Sequence, residues 1–308
     1  MTRLLTIMGS GETAPTMIKT HRELLGRLGP EPSAVVLDTP YGFQENAPEL
    51  ASRAQEYFAQ SVGRPIEIAG LLRFEGADPV TIEHGLGRVR AADYVFAGPG
   101  SPTYALRQWA GSVLPDLLAD KLRNGGAVTF ASAAALTLGV VTVPVYEIYK
   151  SGEDPRWRPG LDLIAALGLP VAVIPHYDNA EGGHHDTRYC YLGERRLRML
   201  EAELPEGTHV LGVDEHTGVI LDLDADTATV VGNGVMTVRV DGTSTTYAAG
   251  TTVPIDELRS PGTGSSGATR PASPTDPADV GEPRQQPSLA AESARLDAEF
   301  GAALARRD

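Results

Sequence analysis

The chain has 308 residues and carries 26 Lys and Arg against 40 Asp and Glu, a formal charge of −14. That balance argues against a phosphate-backbone binder, because no basic cluster exists to release counterions from nucleic acid. A single cysteine, Cys190, excludes a disulfide framework and any multi-thiolate metal site. With 42% hydrophobic residues a sizeable core is affordable, yet no apolar run approaches the roughly 18 residues of a membrane span. The apolar start Leu4–Met8 is too short for a signal-peptide core. A soluble, cytoplasmic protein is expected.

In chain order, Leu4–Met8 reads as a short strand of buried type and Met17–Leu28 as a helix ended by Gly29-Pro30. Ala34–Leu37 is the next strand, followed by a helix over Glu49–Ser61 with Pro48 suited to its first turn. Ile66–Ile68 reads as strand, Thr81–Arg90 as helix, and Tyr94–Ala97 as a strand running into Gly98-Pro99-Gly100-Ser101-Pro102. Helices follow over Thr103–Ala110 and Leu114–Arg123, then a strand at Ala127–Ala131 and a small-residue helix from Ala133. Val171–Ile174 is a strand and Gly193–Glu203 a helix. Short β-type runs occupy Val210–Val213, Val219–Leu223, Thr227–Val231 and Val235–Val240.

Strands alternating with helices predict a three-layer α/β fold: a mostly parallel sheet, helices on both faces, and antiparallel strands added at one edge. Ligands in such folds bind beyond the carboxyl ends of the strands. The loops starting at Gly9, Asp38, Gly98 and Ser132 should therefore share one rim. Residues 1–258 make up this domain. Residues 259–287 are dominated by Pro, Gly, Ser, Thr, Asp and Ala and predict a disordered linker. In 288–308, Leu289, Leu296, Phe300 and Leu304 recur at helical spacing and predict a short terminal helix.

Four loops carry candidate chemistry. Ser132 lies where a strand gives way to a helix rich in small residues, a turn that lifts a nucleophile clear of the sheet. The N–H of the next residue, Ala133, is then aimed at a developing oxyanion. His176 leaves the strand Val171–Ile174 in the polar loop Pro175–Asn179 and can serve as general base. Asp214 and Glu215 end a β-type run, and one of them can orient the base; His216, which follows the acids as in the order Ser, acid, His, is the rival base. Gly98-Pro99-Gly100 turns sharply between strand and helix and exposes backbone N–H groups, either for an oxyanion or as a plain connection.

The order and local sequence of these segments resemble the aspartyl dipeptidase (peptidase E) and cyanophycinase family, serine hydrolases with a class I glutamine amidotransferase-like fold. Tyr94–Ser101 is similar to the family's apolar strand and Gly-Gly-Gly-Asn turn, with Gly100 at the third glycine. Ala131-Ser132-Ala133-Ala134-Ala135 is similar to its Ser-Ala-Gly-Ala elbow, Gly168-Leu169 through Gly182 to its Gly-Leu and Pro-His-Phe loop, and Gly212-Val213-Asp214-Glu215 to its Gly-Leu-Pro-Glu segment. The resemblance spans Leu4–Ile255 with gaps. It implies a serine-type peptidase acting on short peptides or isopeptides, with a Ser132-His176-Glu215 triad and an oxyanion hole of Gly100 and Ala133. The departures are local: the elbow glycines are Phe130 and Ala134, the Asn of the glycine turn is Ser101, and Val143–Trp157 does not resemble the dipeptidase. Asn179, Arg188 and Glu147 are the candidate substrate contacts.

Neither metal nor cofactor is called for on this reading, and the partner is a small peptide substrate; the oligomeric state is not encoded legibly. Two rival readings stay open. Gly9-Ser10-Gly11-Glu12-Thr13-Ala14 formally satisfies the dinucleotide fingerprint after a strand, with Asp38 ending the second strand, which would make the chain an oxidoreductase. Alternatively, the altered elbow marks a non-catalytic relative that binds a ligand or partner. His184-His185-Asp186 reads as a flexible loop, since adjacent histidines seldom ligate one ion.

Overall fold

Four short apolar runs, Leu4–Met8, Ala34–Leu37, Tyr94–Ala97 and Ala127–Ala131, assemble edge to edge because each is buried on both faces and finds backbone partners in its neighbours. The computed structural model describes residues 2–259 and residue 261. The strands β1 (Arg3–Met8), β2 (Ala34–Leu37), β3 (Glu67–Ile68), β4 (Tyr94–Ala97) and β5 (Gly126–Ala131) form a parallel array in the order β1-β5-β4-β2-β3. Between them run α1 (Ile18–Leu28), α2 (Ala47–Glu56), α3 (Pro79–Ala91), α4 (Pro102–Trp109) and α5 (Leu114–Asn124). The last turns of the predicted second helix, Tyr57–Val62, are wound as a π-helix that buries Phe58 and Val62.

Strand alternation sorts the side chains to two faces. Leu5, Ile7, Val95, Ala97, Val128 and Phe130 pack with Leu86, Trp109 and Leu118 of α3, α4 and α5. Leu4, Met8, Tyr94, Phe96, Ala127 and Ala131 pack on the other face with Leu24 and Leu25 of α1 and with Phe58. Each of these large side chains contributes about 1.5–3 kcal/mol on burial, so both helical layers are fixed to the sheet. The three-layer α/β expectation describes this sheet.

Beyond β5 the chain enters α6 (Ser132–Leu136), a ribbon of β6 (Val141–Thr142) and β7 (Arg158–Pro159) that encloses α7 (Val145–Tyr149), then β8 (Val171–Ile174) and α8 (Gly193–Glu201). It finishes with β9 (His209–Val213), β10 (Thr217–Asp222), β11 (Thr227–Gly232), β12 (Val235–Val240), β13 (Thr243–Ala248), β14 (Thr252–Pro254) and α9 (Ile255–Arg259). Antiparallel β10, β11 and β14 extend the main sheet from β1, at the predicted edge. The expectation of a single sheet needs correction, because β8, β9, β12 and β13 form a second, four-stranded sheet. Val171, Val173, Leu211, Val213, Met236 and Val238 turn one face of it into the main core beside Ala134 and Ala135 of α6. Ile174 and Val210 face Leu197 and Leu200 of α8 on the other side.

The expected domain end after Leu258 falls inside α9. Ile255 and Leu258 are fully buried, and Arg259 Nε donates to the Leu167 carbonyl at 2.9 Å. The predicted linker beyond residue 261 and the predicted terminal helix at 288–308 lie outside the described residues.

Candidate active site

Strand register sets the site. Met8 pairs with Ala131 across β1 and β5, and Ala97 with Phe130 across β4 and β5, so the loops opening at Gly9, Gly98 and Ser132 leave the same edge side by side. Ser132 holds a left-handed backbone (φ +50°) directly after the extended Ala131. A non-glycine residue in that region costs on the order of 1–3 kcal/mol and is held there by its surroundings. The replaced glycines do not relax this turn. Phe130 is buried against Trp109 at 5.6 Å between ring centres, and the Ala134 N–H donates to the Gly98 carbonyl at 3.3 Å. Ala133 is the second residue of α6, and its N–H is among those a helix leaves unpaired at its start. Gly100 takes φ +137°, and a Cβ there would lie 2.1 Å from the Pro40 carbonyl oxygen, so only glycine fits the turn.

His176 and Glu215 arrive from the second sheet. They follow the ends of neighbouring parallel strands, β8 and β9, where Ile174 pairs with Gly212. His176 is also left-handed (φ +48°), and its carbonyl accepts from the N–H of Asn179 at 3.2 Å and of Cys190 at 3.1 Å. Cys190 lies in a run of three left-handed residues, Tyr189, Cys190 and Tyr191, and Tyr191 sets its ring 6.4 Å from the His176 ring.

The structure brings Ser132, His176 and Glu215 together in one hydrogen-bonded line. Ser132 Oγ lies 2.9 Å from His176 Nε2, and His176 Nδ1 lies 2.8 Å from Glu215 Oε1. With the proton on Nδ1 donated to the carboxylate, Nε2 is left as acceptor for the serine hydroxyl. Burial raises the Glu215 carboxyl, but the hydrogen bond and charge of His176, the Asn179 amide and the charge of His216 outweigh it and hold it below its ordinary value. Such an arrangement can activate a hydroxyl as a nucleophile and store its proton on an imidazole.

The remaining candidates separate. Asp214 turns away from the base: its Oδ2 accepts the Val235 N–H at 2.9 Å, and burial pushes its carboxyl up to about 6. His216 is not at Ser132; its Nδ1 meets Thr16 Oγ1 at 3.2 Å. Asn179 is only 1% exposed, and its Nδ2 donates to Glu215 Oε1 at 3.1 Å, so it holds the acid instead of facing a substrate. Sequence reasoning missed this role, and also that of Asp178; the signal was a polar Asp-Asn pair directly after the candidate base. The Arg188 guanidinium is engaged by both oxygens of Asp186 at 2.9 Å, which removes it as a ready substrate contact. Glu147 lies on α7 with its Oε2 buried and without a partner among the described residues. The Cys190 thiol is buried and pushed up to about 12, unsuited to act as a nucleophile.

The glycines of the dinucleotide fingerprint serve the fold. A Cβ on Gly9 would lie 2.0 Å from the Asp214 carbonyl oxygen, and one on left-handed Gly11 (φ +66°) would lie 2.3 Å from the His216 ring. The close approach they permit is that of the β9–β10 turn, so packing within the fold accounts for both glycines. Among the described residues no group of three His, Cys, Asp or Glu side chains could hold a metal ion. In His184-His185-Asp186, His185 stacks on Tyr149 at 6.3 Å and Asp186 is taken by Arg188. No helix among the described residues is long and apolar enough to cross a membrane.

No protein-family model matches the chain, and no curated protein matches it. Solved structures do. A peptidase from an acI-B1 actinobacterium superposes with a TM-score of 0.66 at 21% identity, covering 82% of this chain and 97% of that one. A candidate peptidase E protein from Listeria monocytogenes EGD-e gives a TM-score of 0.52 at 10% identity, covering 75% of this chain and 99% of that one. The chain therefore has a peptidase E-like α/β fold, a mostly parallel sheet flanked by helices.

Proposed function

We propose that this chain is a serine-type peptidase that cleaves peptide or isopeptide amide bonds, acting as an exopeptidase on short peptides. The observation that carries the reading is the unbroken line from Ser132 Oγ through the His176 ring to Glu215, at 2.9 and 2.8 Å. The peptidase neighbours, which share the fold, support it.

The chemistry follows from the atoms present. Ser132 Oγ attacks the scissile carbonyl carbon while its proton passes to His176 Nε2. The carbonyl π electrons move to oxygen, and the N–H groups of Gly100 and Ala133 bind that oxyanion. As the intermediate collapses, the C–N bond breaks and the imidazolium returns its proton to the leaving amine. Water then enters by the same route in reverse and releases the acid from Ser132. Glu215 stays ionised throughout, keeps the Nδ1–H tautomer and stabilises the imidazolium. Glu147, with its unpartnered carboxylate oxygen, is the remaining candidate among those named for contact with a substrate.

A screen of dipeptides, isopeptides and longer peptides tests the proposal, run on the wild type and on Ser132→Ala in parallel. Turnover of at least one short amide that Ser132→Ala loses by several orders of magnitude is expected. Equal turnover by both would refute the assignment.

A further inference from the structure

Glu12 is the least explained ionisable group near the site. It follows β1 in the loop that opens at Gly9, is 2% exposed, and its Oε2 has no hydrogen-bond partner among the described residues. Its other carboxyl oxygen lies beside the glycine turn: a Cβ on Gly98 would lie 3.0 Å from Glu12 Oε1. The Gly98 carbonyl in turn accepts from Ala134 of the serine elbow. The Glu12 main chain is pinned from below, because its carbonyl meets His21 Nε2 at 2.7 Å and His21 Nδ1 meets the Tyr94 hydroxyl at 2.9 Å. A chain of contacts thus runs from the start of β4 through His21 and Glu12 to the turn that follows the end of β4.

An ionised carboxylate in that position would be buried without a partner, a state that groups escape by taking up a proton. The titratable groups that face it do not supply a fixed counter-charge. His176 is committed to Glu215, His216 to Thr16, His21 to the Glu12 carbonyl, and Tyr57 lies on the π-helical segment. Burial pushes the Glu12 carboxyl up, against the pull of its own N–H and of His176 and His216. A negative charge beside the glycine turn would also oppose the oxyanion that the turn is proposed to bind.

We infer that Glu12 is a positioning residue, a carboxylic acid kept neutral against Gly98 that sets the turn presenting the Gly100 N–H. The positioning role rests on the hydrolase reading, whereas the neutral state does not. Two measurements separate them. The infrared difference spectrum of the wild type minus Glu12→Gln at neutral pH should contain a protonated-carboxyl C=O stretch. Its absence overturns the inference whatever the enzyme's activity. The rate of Ser132 labelling by a fluorophosphonate should fall about tenfold or more in Glu12→Ala and return to within about threefold in Glu12→Gln. The wild-type rate should also drop at alkaline pH as Glu12 ionises, a limb that Glu12→Gln lacks and that decides the matter should Glu12→Ala not fold. Equal slowing in Gln and Ala, or the same alkaline limb in wild type and Gln, overturns the positioning role. A wild type that does not label at all removes the hydrolase reading and that role with it, leaving the infrared band to decide the protonation state.

Discussion

Asp178 Oδ1 accepts the backbone N–H of Glu215 at 2.7 Å, so the loop that carries His176 also fixes the backbone that carries Glu215. The Asn179 amide, next along, holds the Glu215 carboxylate. His176 and Glu215 are therefore braced as one unit before either meets Ser132. Asp178→Ala should lower kcat by about tenfold with little change in KM, because misplacing the acid by a fraction of an ångström is felt in the transition state. Asp178→Asn keeps an acceptor oxygen and should stay within about threefold of wild type. Steady-state kinetics on any amide found in the screen measures both, and equal losses would mean that the Asp178 charge, not its acceptor, is what matters.

Gly9 stands where the β9–β10 turn meets the end of β1. Gly9→Ala drives a methyl group into the Asp214 carbonyl, which must shift and carry Glu215 with it. The expected outcome is a loss of about 1–3 kcal/mol of stability in a urea titration and at least a tenfold fall in kcat. Wild-type protein should show no thermal shift with NAD(P), since the fingerprint glycines are occupied by the turn.

His21 links proton binding to folding. Burial, opposed only in part by the bond to the Glu12 carbonyl, lowers its value from 6.5 to about 4. The unfolded chain thus takes up this proton more readily than the folded one between those limits. The associated stability is complete above pH 6.5 and is lost as the pH falls towards 4, to the extent of about 3 kcal/mol. His21→Phe removes that titration but strands the Tyr94 hydroxyl and the Glu12 carbonyl, so it should be less stable at pH 8 by about 1–3 kcal/mol. The difference between the two proteins should then shrink as the pH is lowered from 6.5 to 4 in urea titrations. A constant difference would contradict the buried neutral imidazole.

The main sheet was legible because its strands include unbroken apolar runs such as Ala34–Leu37 and Tyr94–Ala97, each closed by glycine, proline or a polar loop. Ser132, His176 and Glu215 were legible for a related reason: each follows an apolar run at a strand end. What the sequence hid was partnership. Apolar Val171–Ile174 carries no mark of which sheet it joins, and the polar Thr243–Ala248 shows no alternation because β13 is an edge strand half open to solvent. The left-handed turn at Tyr189–Tyr191 has no glycine to announce it. Glu12 read only as one residue of the Gly9–Ala14 fingerprint, because its place beside Gly98 depends on two loops 86 residues apart in sequence.

The most direct test of the central claim is covalent labelling. Wild-type protein treated with a fluorophosphonate and digested should carry the phosphonyl group on the peptide containing Ser132, by displacement of fluoride at phosphorus. Ser132→Ala should take up none, and His176→Ala should label at least a hundredfold more slowly, since no base remains to accept the hydroxyl proton. A modified Ser132 found by mass spectrometry is the predicted result. An unlabelled wild type, or the same labelling in Ser132→Ala, would contradict the account.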